Sequence, residues 1–192
     1  MSQIRVVVIS GSLRRGSFNT MLACSVAKHI SGSDVTIDEI SLSELDLPMF
    51  SEDLEKEGLP SSVLDLKARM SAADAMLIAS PEYNGSVSGA LKNAIDWATR
   101  PCEGEAPLQC FHGKVGALLA ASPGRLGGIR GIRHLRVVLS SIGVLVIPNE
   151  FGLGAAHEAF DAEGSLKDES ARDGALAVGE ALVRTARALK DS

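Results

Sequence analysis

The sequence predicts a doubly wound, three-layer α/β/α domain: a five-stranded parallel sheet of order 2-1-3-4-5 between two layers of helices. Two observations lead there. Apolar runs of strand length occur five times, and each is followed by a segment with helical spacing. Four of the five runs are nearly continuous rather than alternating, as parallel strands buried on both faces require. Crossovers between parallel strands are right-handed almost without exception, which leaves the open sheet as the economical solution, and 2-1-3-4-5 is a common order for it. At 192 residues the chain forms one domain, 1–192, with a core large enough to need no staple.

The elements follow in order. "IRVVVIS" (4–10) is the first strand, and the period of residues 18–31 gives the first helix. "VTIDEI" (35–40) is the only run that alternates, which makes it an edge strand. The polar stretch "FSEDLEKEGLPSS" (50–62) reads as a surface loop entering the second helix, 61–73. "AMLIAS" (75–80), a helix over 88–99, "KVGALLAAS" (114–122), a helix over 128–141 and "VLVIPN" (144–149) complete the sheet. An alanine-rich helix with charges on one face, 168–190, closes the chain.

Composition removes several classes of function. A net charge of -5 argues against broad binding to nucleic acid or to an anionic membrane surface, because both need a positive field. The apolar stretch at the N-terminus is too short for a signal sequence or a span, so no membrane is expected. Cys24, Cys102 and Cys110 are odd in number and lack CxxC spacing, which points to reduced thiols and a cytoplasmic protein. Cys24 falls on the apolar side of the first helix as a core residue, whereas Cys102 and Cys110 lie in a loop that could expose them. His29, His112, His134 and His157 show no metal-ligand spacing, and no metal is expected.

The most informative stretch is "SGSLRRGSFN" (10–19), the loop after the first strand. Arg14 and Arg15 stand beside a helix N-terminus, which already carries partial positive charge, at a cost of a few tenths to about 1 kcal/mol. No acidic residue between Arg5 and Asp34 offsets it. A phosphate removes the conflict: helix amides, the hydroxyls of Ser12 and Ser17, the Asn19 amide and a guanidinium would converge on it. The alternative is that Ser17 is only an N-cap and both arginines stand in solvent. The loop matches neither GxxxxGK[ST] nor GxGxxG, which argues against an ATPase and a Rossmann dehydrogenase.

Two further loops share that sheet edge, where ligands of open α/β sheets bind. "SPEYNG" (80–85) carries turn formers and the only tyrosine, Tyr83, with Ser86 or Ser88 as the cap of the next helix. An extended planar ligand could lie there and bond the backbone; a partly buried loop aromatic is the competing reading of Tyr83. In "SPGRLGG" (122–128) the small residues at 122, 124, 127 and 128 would admit a flat ring system.

"GSLRRGSFN", "PEYNGSVSGALKNAIDWA" and "GGIRGIRHLRVVL…IPNEF" resemble, in order and spacing over about residues 4–160, the NADPH-dependent FMN reductase family, a flavodoxin-like group that includes quinone, chromate and azo-dye reductases. The resemblance implies tightly held FMN. Its phosphate would lie on Ser12, Arg14, Ser17, Phe18 and Asn19, its ring edge on the backbone of Pro81, Glu82, Tyr83, Asn84 and Gly85, and Ser122 and Gly124 beside the ring. It also implies NAD(P)H as co-substrate, quinones or similar small-molecule acceptors (chromate, azo compounds or free flavin), and a homodimer or homotetramer. No side chain would be catalytic in its own right, since FMN carries hydride and electron transfer and the protein supplies binding and tuning. Reduction and reoxidation would alternate on one flavin face, a ping-pong scheme.

Arg125, at the third loop, could meet NAD(P)H phosphates, while Arg130, Arg133 and Arg136 at i, i+3 spacing form a solvated or intersubunit ion-pair face. Trp97 and Arg100 could be buried and paired across an interface. Two other classes compete with the reductase. A flavodoxin-type electron carrier would be more acidic and would hold phosphate with a serine- and threonine-rich loop. A phosphate-ester hydrolase or sugar-phosphate binder would need a nucleophile or clustered metal ligands, and neither is evident.

Overall fold

A computed structural model describes residues 2–191. Five parallel strands, β1 (Ile4–Ser10), β2 (Val35–Ser41), β3 (Ala75–Ala79), β4 (Val115–Ala121) and β5 (Leu145–Leu153), pair in the order β2-β1-β3-β4-β5, as the sequence predicts. The five long helices also fall where the periodicity places them: α1 (Phe18–Ile30), α4 (Ser61–Ala72), α5 (Gly89–Ala98), α6 (Ile129–Ser141) and α8 (Glu169–Lys190). Three short helices, α2 (Leu42–Leu45), α3 (Glu52–Glu57) and α7 (Ala156–Ala159), lie in connections.

The sheet divides two cores. Ile4, Val6 and Val8 of β1, with Ala75, Leu77 and Ala79 of β3, pack under α1 and α8; Val7 and Ile9, with Met76 and Ile78, pack under α4, α5 and α6. Alternate side chains of one strand therefore enter different cores, which is why β1, β3 and β4 read as unbroken apolar runs. Each Val, Leu or Ile so buried contributes about 1.5–3 kcal/mol, enough to fix register wherever both faces are covered.

One expectation changes, and one strand is longer than the sequence predicts. Residues 50–62 are not a plain loop: Glu52–Glu57 forms a helical turn, capped by Ser51, whose side chain accepts from Asp53 N at 3.2 Å. The segment is pinned beneath by buried Trp97 and by Asn93. Trp97 Nε1 donates to Pro48 O at 2.7 Å, and Phe50 N donates to Asn93 Oδ1 at 2.8 Å. Arg100 also ties into this segment, its Nε donating to Glu55 Oε1 at 2.8 Å. β5, at the edge where the predicted order puts it, extends beyond residue 149 to Leu153. Pro148, which cannot donate to a ladder, sits where the register with β4 shifts.

Candidate functional site

Three loops rise from the carboxyl ends of β1, β3 and β4 along one edge of the sheet. In the first, residues 11–17, Gly16 adopts φ +64°, a left-handed conformation that turns the chain into α1 and leaves open space where a Cβ would stand. Ser17 is the N-cap, accepting from Thr20 N at 3.4 Å, and the first turn of α1 holds no acidic residue. Its leading N–H groups thus have no acceptor within the helix and face the loop. Arg14 folds back, its guanidinium 4.9 Å from the Phe18 ring centroid, and its backbone N–H donates to Ser12 Oγ at 3.3 Å. Phe18 in turn stacks parallel to Phe160. Arg15 is exposed.

A cavity of about 380 Å³ with a mixed lining adjoins this loop, bounded by Ser12, Arg14, Arg15, Glu39 and Ser41 and by Met21, Ile40 and Leu42 among others. It lies on the β2 side of the loop, between α1 and the end of β2. The β3 side is the open crevice formed by the other two loops.

The second loop is a tight reverse turn. Tyr83 and Ser86 exchange backbone hydrogen bonds, each at 3.0 Å, and Asn84 (φ +53°) and Gly85 (φ +78°) take the left-handed conformations the turn demands. Tyr83 is 54% exposed, a partly buried loop aromatic with the rest of its surface open to solvent. Pro81 is buried. Ser88, not Ser86, caps α5, accepting from Leu91 N at 3.3 Å, whereas Ser86 Oγ bonds His134 Nδ1 at 3.1 Å.

The Glu82 side chain does something composition could not announce. It is 8% exposed and turns away from the crevice into the N-terminus of α6, where Oε2 accepts from Arg130 N at 3.0 Å and Gly131 N at 3.2 Å. Oε1 accepts from Arg130 Nε at 2.7 Å. Burial alone would push this carboxyl up, but the Arg130 hydrogen bonds and charge and the two helix N–H groups outweigh it and hold it below the ordinary carboxylate range.

In the third loop Ser122 Oγ accepts from Gly124 N at 3.1 Å, and Pro123, Gly124, Arg125 and Leu126 are exposed. The small residues there serve a different end from the one expected. Gly127 (φ +61°) lies against the Gly152 backbone, so that a Cβ would stand 2.6 Å from Gly152 C and O. The tight approach is between two parts of the chain, and only Ser122 and Gly124 face outward.

Polar braces hold the three loops to one another. The buried Asn19 amide donates from Nδ2 to Ala121 O at 2.9 Å and accepts from Ala121 N at 2.8 Å, which ties the start of α1 to the end of β4. Its side chain is thereby turned to Ala121 with one N–H and its oxygen, and an anion at this pole would meet the Asn19 backbone N–H. Ser88 Oγ donates to Gly11 O at 2.5 Å, joining the second loop to the first, and Glu82 joins the second to the third. These positioning roles are absent from single-residue patterns, because each partner is distant in sequence.

The remaining expectations sort as follows. Cys24 is not core: it is half-buried at the cavity beside the first loop, with Sγ 3.5 Å from Glu39 Oε2, and burial together with that carboxylate pushes its thiol up to about 11. Cys110 is fully buried rather than loop-exposed, with Sγ 4.0 Å from Lys67 Nζ, and Cys102 is half-buried. Two of the three helical arginines pair within the chain, Arg130 with Glu82 and Arg136 with Glu150 at 2.6 Å, and Arg133 is exposed. Among the described residues no group of His, Cys, Asp or Glu is placed to hold a metal ion, and no helix is long and apolar enough to cross a membrane.

Fold and site together define an open α/β protein of the flavodoxin-like class, with a phosphate-receptive helix pole at its topological switch point. Residues 4–158 match the family model of NADPH-dependent FMN reductases, and the chain belongs to that family. It is 42% identical over 172 residues to an NAD(P)H-dependent FMN reductase of Pseudomonas aeruginosa, covering 88% of each chain. It is 36% identical over 174 residues to a quinone reductase of Escherichia coli, covering 89% of each. Among solved structures, the flavoenzyme NAD(P)H:(acceptor) oxidoreductase FerB of Paracoccus denitrificans superposes with a TM-score of 0.83 at 34% identity, over 96% of this chain and 97% of that one.

Proposed function

We propose that this protein is an FMN-dependent NAD(P)H oxidoreductase that reduces quinones and similar small acceptors. The carrying observation is the α1 pole: a first turn without acidic residues, Arg14 and Arg15 beside it, and a left-handed Gly16 that opens the backbone toward it. That donor set fits a phosphate monoester dianion, and the exposed hairpin at 81–85 fits the edge of a planar ring. Ser12, Arg14, Ser17, Phe18 and Asn19 would hold the phosphate. The backbone of Pro81, Glu82, Tyr83, Asn84 and Gly85 would meet the ring edge, with Ser122 and Gly124 beside it.

When bound, FMN supplies the hydride and electron transfer. The chain's share is to orient the ring, leave one face open and place N–H donors where negative charge develops. The open face would serve the nicotinamide donor and the acceptor in turn, giving ping-pong kinetics, and Arg125, exposed on the third loop, would meet the donor's phosphates. A second copy of the chain would cover the groove between α5 and α6, where Val87 and Val138 flank the 69% exposed Val137, giving a homodimer or, by repetition, a homotetramer. Three thiols outside any disulfide suit a reducing compartment such as the cytoplasm.

The visible spectrum of the purified protein tests the reading. Flavin bands that bleach anaerobically with NADPH and return with a quinone support it. A colourless protein that FMN cannot reconstitute refutes it, and bleaching that requires a separate reductase would instead make it an electron carrier.

A further inference from the structure

The α6 N-terminus lies against the second loop and needs an anion. Its N-cap, Gly128, has no side chain to offer, and a Cβ there would stand 2.7 Å from Ala120 Cβ, so a local Ser or Asp cap is sterically barred. Glu82 supplies the carboxylate from another loop. The hairpin does not need it for its own shape, since the Tyr83–Ser86 backbone pair already closes the turn. What the arrangement creates is a charge assembly directly behind residues 81–85: a helix pole of about half a positive charge, a buried carboxylate and a guanidinium that is 60% exposed.

We infer that the Glu82–Arg130 pair is an electrostatic positioning element whose two opposed charges offset each other at the bound FMN, so that losing either one shifts the reduction potential. The inference rests on the placement of the ring edge against residues 81–85 given under Proposed function. Reduced FMN carries more negative charge than oxidised FMN, so any nearby charge shifts the equilibrium between them by its differential interaction with the two forms. With both partners present, carboxylate and guanidinium nearly cancel. Removing the carboxylate leaves the helix pole and Arg130 unopposed and favours the reduced cofactor. Removing the guanidinium leaves the carboxylate facing only the pole and favours the oxidised cofactor. Because Arg130 is screened by solvent and Glu82 is not, the first effect is the larger.

The opposite signs provide the test. Two-electron midpoint potentials are measured against reference dyes for FMN-loaded wild type, Glu82→Gln, Arg130→Gln and the double variant, at low and at high salt. Glu82→Gln should raise the reduced-to-oxidised ratio at fixed potential by at least about threefold, about 14 mV for a two-electron couple. Arg130→Gln should lower that ratio by less, and the double variant should lie between them. A brace with only a structural role loosens in both single variants and moves both potentials the same way, or neither; either result overturns the inference. If Glu82→Gln does not fold, Arg130→Gln decides alone: a fall upholds the inference, and a rise or no change overturns it. An FMN fluorescence titration of the wild type separates the two levels, since absence of binding would sink the functional reading itself, whereas binding with unshifted potentials sinks only this inference.

Discussion

Asn19→Asp is the sharpest probe of the site's construction, because it changes one atom and leaves the shape intact. Asn19 is 4% exposed and makes two bonds to one residue, accepting from Ala121 N at 2.8 Å and donating to Ala121 O at 2.9 Å. An aspartate keeps the first bond and loses the second, with a carboxylate oxygen now facing the carbonyl. The lost hydrogen bond costs about 0.5–1.5 kcal/mol and the stranded, repelled buried carbonyl about 1–3 kcal/mol. The helix pole returns about 0.3–1 kcal/mol to a negative charge in the first turn. The net loss at neutral pH is about 2–3 kcal/mol, a fall in Tm of about 4–12 °C for a chain of this size. The sign of the pH dependence follows from the protonated form, which can again donate to Ala121 O. The folded state therefore favours the neutral acid, and the folded pKa of the new carboxyl lies above its unfolded value of about 3.9. Wild-type-like stability is regained below the unfolded pKa and lost as pH rises through the folded one. Urea unfolding of both proteins at pH 5 and pH 8 should show the larger gap at pH 8. Equal gaps at the two pH values, or no gap at pH 8, would refute the brace.

Three further outcomes are expected. Gly127→Ala forces a Cβ into a left-handed position 2.6 Å from the Gly152 backbone and should cost about 2–4 kcal/mol; an unchanged melting temperature would mean that the third loop is free to shift. Arg14→Gln with Arg15→Gln should weaken FMN binding at least about tenfold at low salt, with the deficit shrinking as salt is added. Riboflavin, which lacks the phosphate, should bind both proteins alike, and an equal loss for the two ligands would show that the arginines act elsewhere. Cys24, pushed from 9.0 to about 11, should be alkylated at pH 8 about a hundredfold more slowly than an ordinary thiol, as mass spectrometry of labelled peptides would show. Glu39→Gln should restore part of that rate, because burial makes the larger contribution.

Much of the fold was legible because the double burial of β1, β3 and β4 leaves a mark no surface element can make: unbroken runs such as Val6–Ile9 with both parities apolar. The failures have physical causes as well. The extension of β5 to Leu153 leaves no apolar trace, because Pro148, Asn149 and Glu150 interrupt its run. The short helix Glu52–Glu57 buries no side chain, so it leaves no periodic trace. Arg14 and Arg15 were conspicuous because they violate a local rule at a helix pole, whereas Asn19 and Glu82 violate none. Each is an ordinary polar residue until the topology brings Ala121 or the start of α6 beside it.

That contrast bears on how the site works. The polar side chains at Asn19, Glu82 and Ser88 are engaged with the backbone or ionic groups of neighbouring loops, so contacts to a ring on the second loop fall to exposed main chain. Main-chain N–H and C=O groups held at fixed spacing would impose no demand on what approaches the opposite face of a ring seated as proposed, and would leave that face to donor and acceptor. Rigidity is thus invested in the cofactor's seat and permissiveness left to the substrate side. Loosening a brace should therefore impair cofactor retention and potential before it alters the range of acceptors, whereas changes at exposed Tyr83, Arg125 or Leu126 should alter that range while FMN stays bound.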